Sequence, residues 1–175
     1  MKKYSIIVGI LFFVIVITLG FNTQLFALSE TKLQIESMAF KNNEFIPTKY
    51  TRFGENINPP LRISNIPDAT KSLVLIVDDP DAPSKTWVHW VVFNIPVVDV
   101  IEEKSAPGIQ GKNDFGNNQY DGPQPPSGTH RYFFKLYALD IMLSLADGST
   151  KEMVLVAMEE NVIAQAQLVG LYKNE

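Results

Sequence analysis

The sequence predicts a mainly β domain, a central sheet with both faces covered, followed by a helical segment at the C-terminus. Three observations predict it. Prolines recur from Pro47 to Pro126 between apolar stretches, and proline, which cannot donate to a sheet ladder, marks loops rather than central strands. The stretches between them, Leu33 to Phe40, Ser72 to Asp79, Trp87 to Ile95 and His130 to Asp140, are rich in β-branched and aromatic residues and read as strands. Two of these, SLVLIVDD and WVHWVVFNI, are almost continuously apolar, the pattern of strands buried on both faces. The short connection Ala82 to Thr86 predicts that these two form a hairpin.

The C-terminal segment reads as helix. Ser149 and Glu152 have capping-box spacing, and Met153, Val154, Ala157, Met158, Ile163, Ala164, Gln167, Leu168 and Leu171 recur at helical intervals. Its methionines are core fillers rather than ligands.

The N-terminus is a separate object. Lys2 and Lys3 precede an apolar run from Ile6 to Leu19, and a small residue, Ala27, follows in a more polar stretch. Residues 1–28 are therefore a signal peptide or an N-terminal membrane anchor, and residues 29–175 the folded domain. Either alternative places the domain outside the cytoplasm, secreted or anchored, with membrane contact through this segment if it is uncleaved. The chain has no cysteine, so an exported domain must rely on its core instead of disulfides.

Composition narrows the function. With 46% hydrophobic and 19% charged residues the chain is ordinary globular material. Its formal charge is −4, and two of its cations lie in the leader, so the domain is more acidic still. Nucleic acid, which demands clustered Lys and Arg, is excluded as a partner.

Chemistry concentrates in two places. VDDPDAPSKTWVHW sets Asp79 and Asp81 at the end of a buried strand and His89 within the next. Strand alternation predicts Trp87 and His89 on one face and Val88 and Trp90 on the other. Asp79 is expected to orient His89 and keep it protonated, and Asp81 to cap the turn. The second place is GNNQYDGPQPPSGTHRYFF, where glycines and prolines hold backbone N–H groups exposed before His130 and Tyr132, which share a face. The piece from Ala106 to Thr129 is long enough to be functional. Arg131 is expected to clamp Asp114 or Asp121, and Asn113, Asp114 and Gly116 to be architectural.

The segments DDPDAP…WVHWVVFNIP and GKNDFG…YDGPQPPSGTHRYFFKLYALD, with INPPLRISNIP and AMEENVIAQAQLVGLYKN around them, closely resemble the phosphatidylethanolamine-binding protein family in its bacterial and archaeal, Raf-kinase-inhibitor-like branch. The resemblance implies a β-sandwich with an anion pocket at one end and C-terminal helical structure. It assigns ligand-binding roles to Asp79, Pro83, Trp87, His89, Pro125, Gly128, His130 and Tyr132. It implies binding without turnover: a small anion or phosphorylated head group as ligand, with no cofactor and no metal. Gln124 stands where bacterial relatives carry a thiol, and Glu160 and Asn161 where they carry a histidine, which would make the site less cationic.

Two other classes stay open. A protease- or kinase-inhibitor-like module would present the loop Asp121 to Thr129 to a protein, outside the cell an envelope protein or protease. A site built from His89, His130, Asp79 and Asp81 would be metal-dependent or hydrolytic, but no H-x-E, H-E-x-x-H or G-x-S-x-G element accompanies it.

Overall fold

The computed structural model describes residues 32–174, so the proposed leader lies outside the described residues. The strands are β1 (Gln34–Ser37), β2 (Glu44–Phe45), β3 (Leu61–Ser64), β4 (Ser72–Asp79), β5 (Trp87–Ile95), β6 (Val100–Ile101), β7 (Ile109–Gln110), β8 (Gly128–Leu139) and β9 (Val162–Asn174), with one helix, α1 (Lys151–Met158), before β9. The two apolar runs are strands β4 and β5, paired antiparallel.

Three layers result. A six-stranded sheet, in the order β2-β9-β8-β4-β5-β7, carries a three-stranded sheet, β1-β3-β6, on one face and α1 on the other. Alternation along β4 sends Leu73, Leu75 and Val77 toward the smaller sheet, where they meet Ile35, Leu61, Ile63, Trp90 and Phe134. Val74 and Ile76 point the other way, against Val154 and Met158 of α1. All eight positions of β4 are buried, and its five central ones, Leu73 to Val77, are apolar without interruption; each such side chain contributes ~1.5–3 kcal/mol on leaving water.

The C-terminal helix is much shorter than the periodicity predicts. It is capped by Thr150, whose hydroxyl accepts from the Met153 N–H, and not by Ser149, whose hydroxyl donates to the Ala146 carbonyl. After a 3-10 turn at Glu159–Asn161 the chain becomes β9, 13 residues paired with β8 almost throughout. In VIAQAQL the apolar residues fit either period, since Ala164 and Leu168 are one helical turn apart and Ala164, Ala166 and Leu168 also alternate. The long edge of β8 decides in favour of the strand, whose even positions pack inward while Ile163, Gln165 and Gln167 are exposed. The first predicted strand is also shorter, Gln34–Ser37, because a turn begins at Met38.

A carboxylate is buried on the helix side of this framework. Asp78, fully inaccessible, points to the helix side and receives Lys135 of β8 and Lys151 of α1. Asp78→Ala is expected to cost about 2 kcal/mol, because it removes the buried counter-charge of two lysines that are themselves only half-buried. Urea denaturation checks this; a loss below about 1 kcal/mol would mean that both lysines reach water freely.

Candidate functional site

The site begins with an irregularity in β5. The register with β4 runs Val77 opposite Trp90 and then Asp78 opposite Val88 and Asp79 opposite Trp87, so His89 has no partner. This is a β-bulge, two residues facing one. It breaks the alternation expected from the sequence: Val88 packs on the helix side while Trp90 packs on the sheet side. His89 turns toward Tyr132, ring centroids 5.1 Å apart at 81°.

The bulge also frees backbone to hold the long loop. The His89 carbonyl accepts from the Asp121 N–H at 3.0 Å and from Asn113 Nδ2 at 3.3 Å. Asp114 bonds Val88 twice, through its own N–H and through Oδ2. Asn113 ties the loop to itself, donating to Gln119 and Asp121 and accepting from the N–H groups of Phe115 and Asn117. Asp121 is the buried hub of the loop, its carboxylate bound by Arg52, Asn56, Asn113 and Asn117. Burial alone would raise its pKa; the three amide donors and the Arg52 charge outweigh this and hold it below the ordinary carboxylate value. Arg52 also lies 4.3 Å over the Phe115 ring.

These constraints shape a cavity of about 280 Å³ lined by Asp79, Ala82, Pro83, Ser84, Trp87, His89, Phe115, Gln124 and Pro126. A larger groove of about 570 Å³ runs between β1 and β9, but its polar groups are Gln34, Glu36, Ser37, Lys41, Asn42 and Gln167, with no buried titratable side chain among them. The smaller cavity is where such groups converge. Asp79, Pro83, Trp87 and His89 line it together. His130 stands behind Asp79, its Nδ1 donating to Oδ2 at 2.7 Å. Tyr132 lies wholly buried beside His89, its hydroxyl near the Gln124 N–H but without a partner at hydrogen-bond geometry. Pro125 is buried within the loop, and Gly128, at φ +71°, opens β8 at the surface.

Three sequence expectations are corrected. Asp79 does not orient His89: its Oδ1 accepts from the Asp81 N–H, its Oδ2 from His130. His89 Nδ1 instead donates to the Asp121 carbonyl at 2.6 Å, and burial pulls its pKa below the ordinary imidazole value despite the opposing effects of the Asp121 carbonyl and the Asp79 charge. The turn is capped by Asp79, not Asp81. Asp81 grips Arg131 through Nε at 2.8 Å and Nη2 at 2.6 Å, while the acids expected for Arg131 belong to others, Asp121 to Arg52 and Asp114 to Lys85. Sequence reasoning missed Phe115 as a wall of the cavity. Its signal was an aromatic residue in a loop stretch otherwise polar, and it touches both Trp87 and His89 edge-on at 5.4 Å.

Comparison with known proteins agrees with this architecture. The family model described as phosphatidylethanolamine-binding protein matches residues 36–173. The chain belongs to the phosphatidylethanolamine-binding protein family. A UPF0098 protein of Methanothermobacter thermautotrophicus is 50% identical over 149 residues, covering 81% of this chain and 99% of the relative. One of Pyrococcus horikoshii is 49% identical over 158 residues, covering 83% and 80%. Among solved structures, the phosphatidylethanolamine-binding protein homologue CT736 of Chlamydia trachomatis superposes with a TM-score of 0.80 at 43% identity, covering 82% of this chain and 99% of that one. E. coli YbcL, described as a member of the mammalian family, gives 0.77 at 31%, covering 83% and 100%. Membership places the chain among proteins named for binding. Of the two departures noted in the sequence, Gln124 is on the cavity wall. Glu160 and Asn161 are at the far end of β8, next to the pairing of Leu139 with Val162, whereas the cavity lies near the pairing of His130 with Tyr172. Asn161 therefore has no bearing on the charge of the site.

A Cβ on Gly122 would clash with the Tyr50 carbonyl oxygen, whereas one on Gly116 meets nothing. Gly122→Ala should therefore cost about 2 kcal/mol in thermal unfolding, more than Gly116→Ala, which strains only its positive φ. The Asp81 pKa, lowered from 3.8 to about 2 chiefly by the Arg131 hydrogen bond, makes a stabilising contribution that is complete above pH 4 and lost as pH falls toward 2. Because the pair is partly exposed, Asp81→Asn should lower stability at pH 6 by less than about 1 kcal/mol, with the gap closing by pH 2 in acid-unfolding curves.

Proposed function

We propose that this protein is a non-catalytic binding protein whose cavity at the His89 bulge holds a small anion or the phosphorylated head group of a larger molecule. The observation that carries this reading is the convergence of His89, Asp79 and Trp87 with the proline walls Pro83 and Pro126 in one cavity at the sheet's end. Its size suits a head group and leaves acyl chains outside. A donor supports it, the Gln124 amide on the wall.

Binding rather than turnover is favoured by what the titratable groups already do. Asp79 is engaged at both oxygens and His89 at Nδ1. Among the described residues no hydroxyl bonds either imidazole, as a nucleophile and base would require, and no three of His, Cys, Asp and Glu are grouped to hold a metal. The exposed Gln124 and the stretch Pro126 to Thr129 rim the same end, which supports an envelope protein or protease as a partner reading the occupied pocket. The leader pattern of residues 1–28 supports an exported or membrane-anchored location. Among the described residues no helix is long and apolar enough to cross a membrane.

The test is an NMR titration of the full chain with phosphate, phosphoethanolamine, acetate and a phosphotyrosine peptide, with and without chelator. Saturable shifts at Asp79 to His89, Phe115 and Gln124 to Pro126 are expected, and His89→Ala should abolish them while the protein stays folded. No binding, or binding only with added metal, would overturn the proposal.

A further inference from the structure

A carbonyl oxygen has no proton to give, so the contact between the Asp121 carbonyl and His89 identifies Nδ1 as the nitrogen that carries hydrogen. The nitrogen left for the cavity is Nε2. Burial, the dominant influence on this imidazole, disfavours a second proton, so in the ligand-free protein Nε2 is an acceptor. A second acceptor stands on the same wall: each Asp79 oxygen takes one donor, Asp81 N–H or His130 Nδ1, and keeps a further lone pair.

Among the described residues no free cation balances them. Arg52 is bound to Asp121 and lies over the Phe115 ring, Arg131 is bound to Asp81, and Lys85, 5.4 Å from the Trp87 ring, is bound to Asp114. The groups facing His89 are Asp79 from β4, His130 and Tyr132 from β8, and Asp121 from the loop. Tyr132 is neutral, since burial pushes its phenol up. A fully deprotonated anion entering here would meet a carboxylate and an imidazole lone pair, with neutral donors alone to hold it. Apposed acceptors without a hydrogen between them carry the full cost of unmade bonds.

Resting on the anion reading above, we infer that the cavity takes an oxyanion together with a proton: the monoanion of a phosphomonoester, whose P–OH donates to His89 Nε2 or Asp79, and not an oxyanion that lacks that proton. The remaining phosphoryl oxygens accept from neutral donors such as the Gln124 amide and the Ser84 hydroxyl. Phosphate esters and sulfate esters of the same shape are thereby told apart. The monoanionic phosphate ester and the sulfate ester carry the same charge and differ by one hydrogen-bond donor. A site built to pair a substrate O–H rejects the analogue lacking it by several orders of magnitude.

The experiment compares phosphoethanolamine with ethanolamine O-sulfate on the full chain by calorimetry from pH 5.5 to 8, alongside nitrogen-15 spectra of His89. The sulfate ester should bind at least about a hundredfold more weakly at pH 7. Affinity for the phosphate ester should fall about tenfold per unit above about pH 6, where a phosphomonoester loses its second proton, with proton uptake approaching one per ligand at pH 8. Equal affinity for the two esters, or phosphate affinity constant or rising with pH, overturns the inference while leaving anion binding standing. Imidazolium signals from ligand-free His89 at pH 7 overturn it without reference to any ligand. If neither ester binds at any pH while His89 shows the Nδ1–H tautomer, the anion reading itself fails and takes this inference with it.

Discussion

The bulge at His89 is the constraint on which the rest of the site depends. With regular pairing, His89 would share a face with Val91 and Phe93 and enter the helix-side core, where an imidazole has nothing to bond and its burial would be costly. The extra residue swings the ring to the cavity and lays bare a carbonyl that the loop then occupies through Asp121 and Asn113. The loop returns the constraint, because Asp121's own carbonyl holds His89 Nδ1. Strand, loop and imidazole are mutually fixed, and Phe115 is brought to the cavity as part of the same arrangement.

The three acids at the end of β4 show how one short stretch is divided among three tasks. Asp78 goes to the helix side and two lysines, Asp79 to the cavity and His130, and Asp81 outward to Arg131. Strand alternation separates the first two, and the turn that Asp79 caps separates the third. Like charges so close in sequence are tolerable because each has its own partner and the sheet lies between the first and the second.

Much of the fold was legible because its central strands are written in a single unambiguous pattern. SLVLIVDD and WVHWVVFNI coincide with β4 and β5 residue for residue. β9 was not legible, since alanine, glutamine and leucine suit either a helix or a strand and the choice is made by an edge of β8 far away in sequence. The two-residue strands β2, β6 and β7 are likewise too short to carry a periodic signal of their own. At the site, the residue types and their neighbourhoods could be read, but not their pairing. A bulge is a statement about register, and which arginine meets which aspartate depends on where loops return, so Arg52, outside both stretches where the chemistry concentrates, took the place expected for Arg131.

The last strand in the chain is not the last in the sheet. β9 lies between β8 and β2, and through Glu44–Gly170 and Phe45–Leu171 it joins residues from the two ends of the domain. These pairings with β2 are among the most distant in sequence made by the described residues, so loop-closure entropy delays them. A nascent chain can zip β4, β5 and β8 together before β9 is made, and until then the β8 edge is bare. The larger sheet is thus completed only when β9 has docked, and a chain cut before Val162 leaves bare a β8 edge that β9 otherwise covers.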